Sequence, residues 1–278
     1  MRLLTFKGRS KRYLNDCWFN VTICTMTIIA LYSNKGGVGK TAAAVNLAYL
    51  AAESGASTLL CDLDAQGSST FYFRVQPGIK RKARGLVKEN KKVFDSIKAT
   101  DYPSLDLLPA DFSHRRLDIE YAERKKPTER LAKALEPLRS AYDYLILDCP
   151  PTINLLAENI FTTTDVLLAP IIPTPLSLLA HRQLLDFLDE HGYHAARVYA
   201  FFSMVDGRKR LHRDLIAEAR HAYRHVLQTS ISYLTHVEQM GVHRAPVGVF
   251  AGASPAAAAY RALWAEVRRL PNSPTLAG

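Results

Sequence analysis

From Met26 onward, short runs of consecutive apolar residues alternate with longer stretches whose apolar positions recur at helical spacing. The short runs Thr27–Tyr32, Thr58–Asp62, Leu105–Pro109, Tyr144–Asp148, Val166–Pro170, Val198–Met204 and Thr229–Tyr233 read as strands. The longer ones, Lys40–Glu53, Thr128–Ser140, Leu176–His191, Lys209–Leu227 and Pro255–Leu270, read as helices. A strand that is apolar throughout must be covered on both faces, the pattern of parallel strands joined by crossover helices. The expected fold class is therefore α/β, a doubly wound, mostly parallel sheet with helices on both faces. One domain over residues 26–270 accounts for the whole pattern, with residues 271–278 as a tail.

Composition narrows the picture only a little. A chain of 278 residues, 48% hydrophobic and 22% charged, can bury a sizeable core and is neither disordered nor collagen-like. No apolar run approaches the roughly 18 residues of a spanning helix. Residues 1–25 carry Arg2, Lys7, Arg9, Lys11 and Arg12 against Asp16 and lack a periodic pattern or a signal-peptide core. They read as a basic extension, either a flexible arm or a misassigned start upstream of Met26. Without their +4, the net charge of +10 falls to +6, so the remainder is basic in its own right. Basic proteins favour polyanionic partners. Cys17, Cys24, Cys61 and Cys149 show no metal-ligand spacing and read as reduced thiols, which points to the cytoplasm.

The chemistry concentrates after the first strand, in Ser33-Asn34-Lys35-Gly36-Gly37-Val38-Gly39-Lys40-Thr41, followed at once by a helical pattern. Glycines allow a backbone to wrap its N–H groups around phosphate oxygens, and a following helix N-terminus adds a positive dipole. In this P-loop reading Gly36, Gly37, Val38, Gly39 and Ala42 contact the phosphates. Lys40 reaches the β- and γ-phosphates of ATP, and the Thr41 hydroxyl ligates Mg²⁺. Position 34, a glycine in the usual pattern, is Asn34, and a second lysine, Lys35, precedes the glycine pair.

Two carboxylate stations accompany the loop. Asp148 closes Tyr144–Asp148 at the carboxyl end of a strand, where open α/β sheets bind ligands, and is expected to hold Mg²⁺ through water. Asp62 and Asp64 lie in Leu60-Cys61-Asp62-Leu63-Asp64-Ala65-Gln66-Gly67-Ser68. Strand alternation would put both on one side if the strand ran through them.

Together these strings resemble the deviant Walker A ATPases of the ParA/MinD type, most closely the ParA partitioning ATPases, over most of Met26–Leu270. Leu107–Ala110, Ile172–Ser177 and Ser203–Asp206 extend the likeness. The resemblance implies a P-loop fold and Mg-dependent hydrolysis of ATP to ADP and phosphate. Lys35 would reach across an ATP-bound homodimer to the partner's nucleotide. Asp64 would position the attacking water, Asp62 would support the Mg²⁺ shell, and Met204 and Asp206 would lie near the adenine. The implied partners are non-specific DNA and a ParB-like or cargo-adaptor activator, with the protein on the nucleoid and segregating DNA or positioning a protein cargo. Arg208, Lys209, Arg210, Arg213, Arg220 and Arg224, extended by Arg244, Arg261, Arg268 and Arg269, form one basic cluster suited to phosphates. A second, Lys80–Arg84 with Lys88, Lys91 and Lys92, could touch DNA or dock a cargo adaptor, but reads best as a solvated loop.

The alternative is a MinD-like membrane-cycling ATPase. The apolar residues of the last helix, Tyr260, Leu263, Trp264, Val267 and Leu270, suit packing on the domain better than lipid. A nitrogenase-type iron protein lacks its paired cysteines here, and Lys35 argues against a dethiobiotin synthetase. A DNA-binding module without enzymatic activity would leave the P-loop and both carboxylate stations without purpose.

Overall fold

In the computed structural model, which describes residues 26–79, 86, 93–193 and 197–270, apolar runs become the strands of one eight-stranded sheet. These are β1 (Thr27–Leu31), β2 (Thr58–Asp62), β3 (Lys98–Ala99), β4 (Leu105–Leu108), β5 (Tyr144–Asp148), β6 (Val166–Ile171), β7 (Val198–Val205) and β8 (Val226–Ser232). Their order is β3-β4-β2-β5-β1-β6-β7-β8, parallel except for the short antiparallel pairing of β3 with β4. β1 lies between β5 and β6, so the loop leaving its carboxyl end opens at the middle of the sheet.

Alternation along each strand divides the core between two faces. Ile28 and Ala30 of β1, with Leu145 and Leu147 of β5, pack under α3 (Leu117–Ala122), α4 (Arg130–Leu135), α5 (Leu155–Thr163) and α6 (Pro175–Glu190). Ile29, Leu31 and Ile146 face the other way, onto α1 (Lys40–Glu53) and α10 (Pro255–Val267). Tyr260, Leu263, Trp264 and Val267 of α10 are buried there, with Trp264 edge-on to Tyr144 at 5.1 Å. The apolar stripe of this helix is thus used up inside the domain. No described helix is long and apolar enough to cross a membrane. Cys61 in β2 and Cys149 just after β5 are free and fully buried, as small hydrophobes are.

Several boundaries differ from the sequence reading for identifiable reasons. The expected helix Thr128–Ser140 is α4 flanked by 3-10 turns at Pro127–Glu129 and Glu136–Leu138, because Pro137 cannot donate a helical N–H. The expected helix Lys209–Leu227 is α7 (Arg210–Ala222); Val226 and Leu227, apolar enough for either period, instead begin β8. Unanticipated elements are α2 (Ser68–Tyr72), β3, α3, α5, α8 (Thr235–His243) and α9 (Val247–Phe250). One buried side chain fixes α8 and α9 against α1: Asn46 donates to Met240 Sδ at 3.3 Å and accepts from Val247 N–H at 2.9 Å. The basic extension 1–25, the cluster from Lys80 to Arg84 with Lys88, Lys91 and Lys92, and the tail 271–278 lie outside the described residues.

Candidate functional site

The loop after β1 owes its shape to two glycines. Gly37 and Gly39 have φ of +71° and +92°, where side chains are strained. At Gly39 space is short as well, since a Cβ would stand 2.9 Å from Ser203 Oγ on β7. The chain then enters α1 with Lys40, whose ammonium folds back to donate to the Lys35 carbonyl at 3.0 Å. Lys40 is buried, which lowers its pKa, while the nearby Asp148 carboxylate acts in the opposite direction.

Asp148 is the junction of the site. Its Oδ1 accepts from Thr41 of the loop at 3.2 Å, and its Oδ2 accepts from Ser69 of α2 at 2.8 Å. Asp62 is its register partner on the adjacent strand β2. Asp62 Oδ2 accepts from Thr70 N–H at 2.8 Å and Thr70 Oγ1 at 2.7 Å, while Oδ1 is buried without a partner among the described residues. Burial raises both carboxyl pKa values, and Asp148 raises that of Asp62 further. A cation here would relieve that repulsion and occupy the unpartnered Oδ1. Among the described residues there is no cluster of three or more acidic, His or Cys ligands. Such a donor set suits Mg²⁺, which keeps waters and takes phosphate oxygens in place of a protein cage.

Asp64 departs from the alternation argument. β2 ends at Asp62, Leu63 is buried with its N–H on the Asp148 carbonyl, and Asp64 begins a turn. In that turn Asp64 Oδ1 accepts from Gln66 N–H at 3.0 Å. Asp62 therefore points into the buried carboxylate pair, whereas Asp64 reaches the wall of a cavity of about 400 Å³.

That cavity gathers Gly36, Gly37, Val38, Gly39, Lys40, Thr41, Ala42 and Asp64 with Met204. Met204, at φ +55°, is one of the few described non-glycine residues in the left-handed region, and it lies next to the last residue of β7. Lys35 and Asp206 do not line the cavity. The Asp206 carboxylate instead takes the Arg208 guanidinium at 2.9 and 3.0 Å, which holds its pKa down. Lys35 is half-buried, and its ammonium has no hydrogen-bond or ion-pair partner among the described residues.

The sequence reading passed over Ser69 and Thr70, and the far wall formed by Ile231, Ser232, Tyr233, Leu234, Val237 and Glu238. Ser69 and Thr70 carried a faint signal, hydroxyls just after an acidic turn. The far wall carried none, since only the sheet order brings the carboxyl end of β8 to the cavity that starts after β1.

The expected basic surface is largely tied down. Arg210 pairs with Asp214 at 3.4 Å, and Arg213 donates to the Gly207 carbonyl at 2.6 Å. Arg220 reaches Ser230 at 3.1 Å, Arg244 stacks 4.4 Å from the Phe71 ring centroid, and Arg261 bonds Gly252. Arg224 lies beyond the end of α7, off the helical row expected for it. Lys209, Arg224, Arg268 and Arg269 have side chains with no such partner among the described residues.

Residues 26–195 match the profile of the AAA domain family. The sporulation initiation inhibitor protein Soj of Bacillus subtilis is 31% identical over 246 residues, which cover 86% of this chain and 97% of Soj. In fold, the chain is similar to cobyrinic acid a,c-diamide synthase of Mycobacterium smegmatis, solved with an ATP analogue and magnesium, at a TM-score of 0.76 and 23% identity. That match covers 91% of this chain and 100% of the synthase. Apo McdA of Cyanothece matches at 0.76 and 20% identity, over 87% of this chain and 99% of McdA.

Proposed function

The chain belongs to the AAA domain family and, within it, to the ParA/Soj group of P-loop ATPases, and from that premise we propose that it is an ATP-driven switch. It binds Mg·ATP, dimerises on it, holds non-specific DNA, and releases that DNA when a ParB-like or cargo-adaptor partner stimulates hydrolysis. One observation carries the reading: Thr41 from the glycine loop and Ser69 from α2 converge on the two oxygens of Asp148. A phosphate-binding loop, a cation site and the segment after Asp64 are thereby joined through one buried carboxylate.

In this reading the loop from Gly36 to Ala42 surrounds the phosphates, and Lys40 exchanges the Lys35 carbonyl for β- and γ-phosphate oxygens. Thr41, Asp148 and Asp62 would hold Mg²⁺, whose charge would neutralise the phosphates. Asp64, on the cavity wall and not locked into the buried pair, orients the attacking water. Lys35, partly exposed and unpaired, is left for the nucleotide of the second subunit. Met204 lies against the base; Asp206 acts through the loop it shapes with Arg208. Loss of the γ-phosphate relaxes the turn that follows β2, and the dimer opens.

Lys209, Arg224, Arg268 and Arg269 are the cations best placed for DNA phosphates, since neighbouring arginines are engaged internally. A cytoplasmic, nucleoid-bound location follows from this reading.

Sedimentation with DNA or with anionic vesicles, with and without Mg·ATP, tests the proposal. ATP-dependent pelleting with DNA that falls steeply with salt is expected; pelleting with vesicles alone would favour the MinD-like cycle instead. Lys40→Ala should abolish ATP-dependent dimerisation by light scattering, and a normal dimer in that variant would sink the assignment.

A further inference from the structure

The cavity that begins at the glycine loop ends on the carboxyl termini of β7 and β8. β8 is three strand spacings from β1, ~14 Å in the sheet. A nucleotide with its phosphates in the loop therefore turns its base toward this far wall. Most of the wall is apolar, formed by Met204, Ile231, Leu234 and Val237. Glu238 is its ionisable carboxylate; the other acid lining the cavity, Asp64, sits on the turn after β2. Tyr233 Oη donates to Glu238 Oε1, which aims the carboxylate and leaves Oε2 without a partner among the described residues. The helix carrying Glu238 is anchored from behind, because Met240 is fully buried and accepts from Asn46.

An ionised carboxylate only accepts hydrogen bonds. Adenine presents an amino donor at its 6-position, whereas guanine and hypoxanthine present a 6-oxo acceptor that would oppose the carboxylate. We propose that Glu238, held by Tyr233, reads the 6-amino group and makes this chain select adenine over 6-oxopurine nucleotides. The inference rests on the reading of the cavity as an ATP site. Glu238 is exposed, so one hydrogen bond to a charged group should discriminate by about tenfold, not by the larger factors of enclosed sites.

The test is a set of affinities for ATP, GTP, ITP, purine riboside triphosphate (hydrogen at position 6) and 2′-deoxy-ATP. They are measured by calorimetry on the wild type, Glu238→Gln and Glu238→Ala. The wild type should bind ATP about tenfold more tightly than purine riboside triphosphate, and Glu238→Ala should erase that gap. Glu238→Gln, whose amide can donate as well as accept, should gain affinity for GTP and ITP. The proposal is overturned if Glu238→Ala weakens ATP and purine riboside triphosphate equally. It is likewise overturned if the substitution erases only the distinction between ATP and 2′-deoxy-ATP, which would assign the carboxylate to the ribose. Failure of the wild type to bind any nucleotide would instead remove the ATP reading itself. Far-ultraviolet circular dichroism of the near-isosteric Glu238→Gln checks that the fold is retained.

Discussion

The two ends of the cavity proposed to hold ATP are built differently. At the phosphate end the polar atoms are buried and cross-linked between elements: Thr41 and Ser69 meet on Asp148, and Thr70 joins Asp62 to the Ala110 N–H at 2.8 Å. At the base end the β7–β8 ladder shifts register twice, Met204 takes a left-handed φ, and Tyr233 and Glu238 stand in solvent. Charged oxygens and a cation require fixed donors and acceptors, because low-dielectric electrostatics punishes a misplaced atom. A flat base needs an apolar wall and one polar cue, and many sequences supply that.

The largest effect should come from breaking the phosphate end at Asp64. Asp64→Ala is expected to lower turnover about 100-fold or more, the usual worth of a positioned acid–base group. ATP affinity should hardly change, so the variant should persist as an ATP-bound dimer. Phosphate release and ATP titration check the two halves of this statement, and wild-type turnover would remove Asp64 from the mechanism. Gly39→Ala comes next. It forces a Cβ onto φ +92° and to within 2.9 Å of Ser203 Oγ, at a cost of about 2–3 kcal/mol from backbone strain and overpacking. Removing the Ser203 hydroxyl in the same chain should recover the overpacking part only. Full recovery in chemical denaturation would mean that the backbone conformation carries no strain.

A smaller effect is expected from pH. Burial and Asp148 raise the Asp62 pKa in the folded protein above its value in the unfolded chain. The folded state then binds more protons, so the stability associated with Asp62 is present at acid pH and is lost as pH rises through the raised value. Asp62→Asn keeps an oxygen for Thr70 but removes the charge. Without Mg²⁺ it should be more stable than the wild type by about 2 kcal/mol in mildly alkaline buffer, and no more stable once the pH is below the ordinary carboxylate range. Parallel pH profiles of thermal midpoint for the two proteins would contradict the assignment of repulsion to this pair.

The same contrast explains what was legible in the sequence. β2 and α1 were readable to the residue because glycines and polar turns bound an apolar run on either side. The convergence of Lys40, Thr41 and Asp148 was readable because a glycine loop fixes the spacing of the first two and the strand end fixes the third. The relation of Asp62 to Asp64 was conditional on the strand running through both, and the condition fails because β2 ends at Asp62 and the Leu63 N–H turns to the Asp148 carbonyl. Pro137 and the apolar pair Val226 and Leu227 misled the helix boundaries, because a window that matches one period overlooks a single breaker. Tyr233 and Glu238 were not legible as wall residues. They reach the site through the order of β1, β6, β7 and β8, a long-range pairing that leaves no mark on neighbouring residues.

The sharpest comparison deletes one hydroxyl from each carboxylate. Ser69 is fully buried and donates to Asp148, whereas Tyr233 is 58% exposed and donates to Glu238. Ser69→Ala leaves a buried oxygen without a donor and should cost about 1 kcal/mol of stability. It should also weaken Mg·ATP binding, because Asp148 loses its anchor on the side of α2. Tyr233→Phe returns Glu238 to water, so its stability cost should stay within about 0.5 kcal/mol. Its effect should appear instead as a slight narrowing of the preference for ATP over GTP. Urea titrations of the two variants decide the matter. Equal losses would mean that the base end is as firmly cross-linked as the phosphate end, and that its exposed side chains are held by more than their own hydrogen bond.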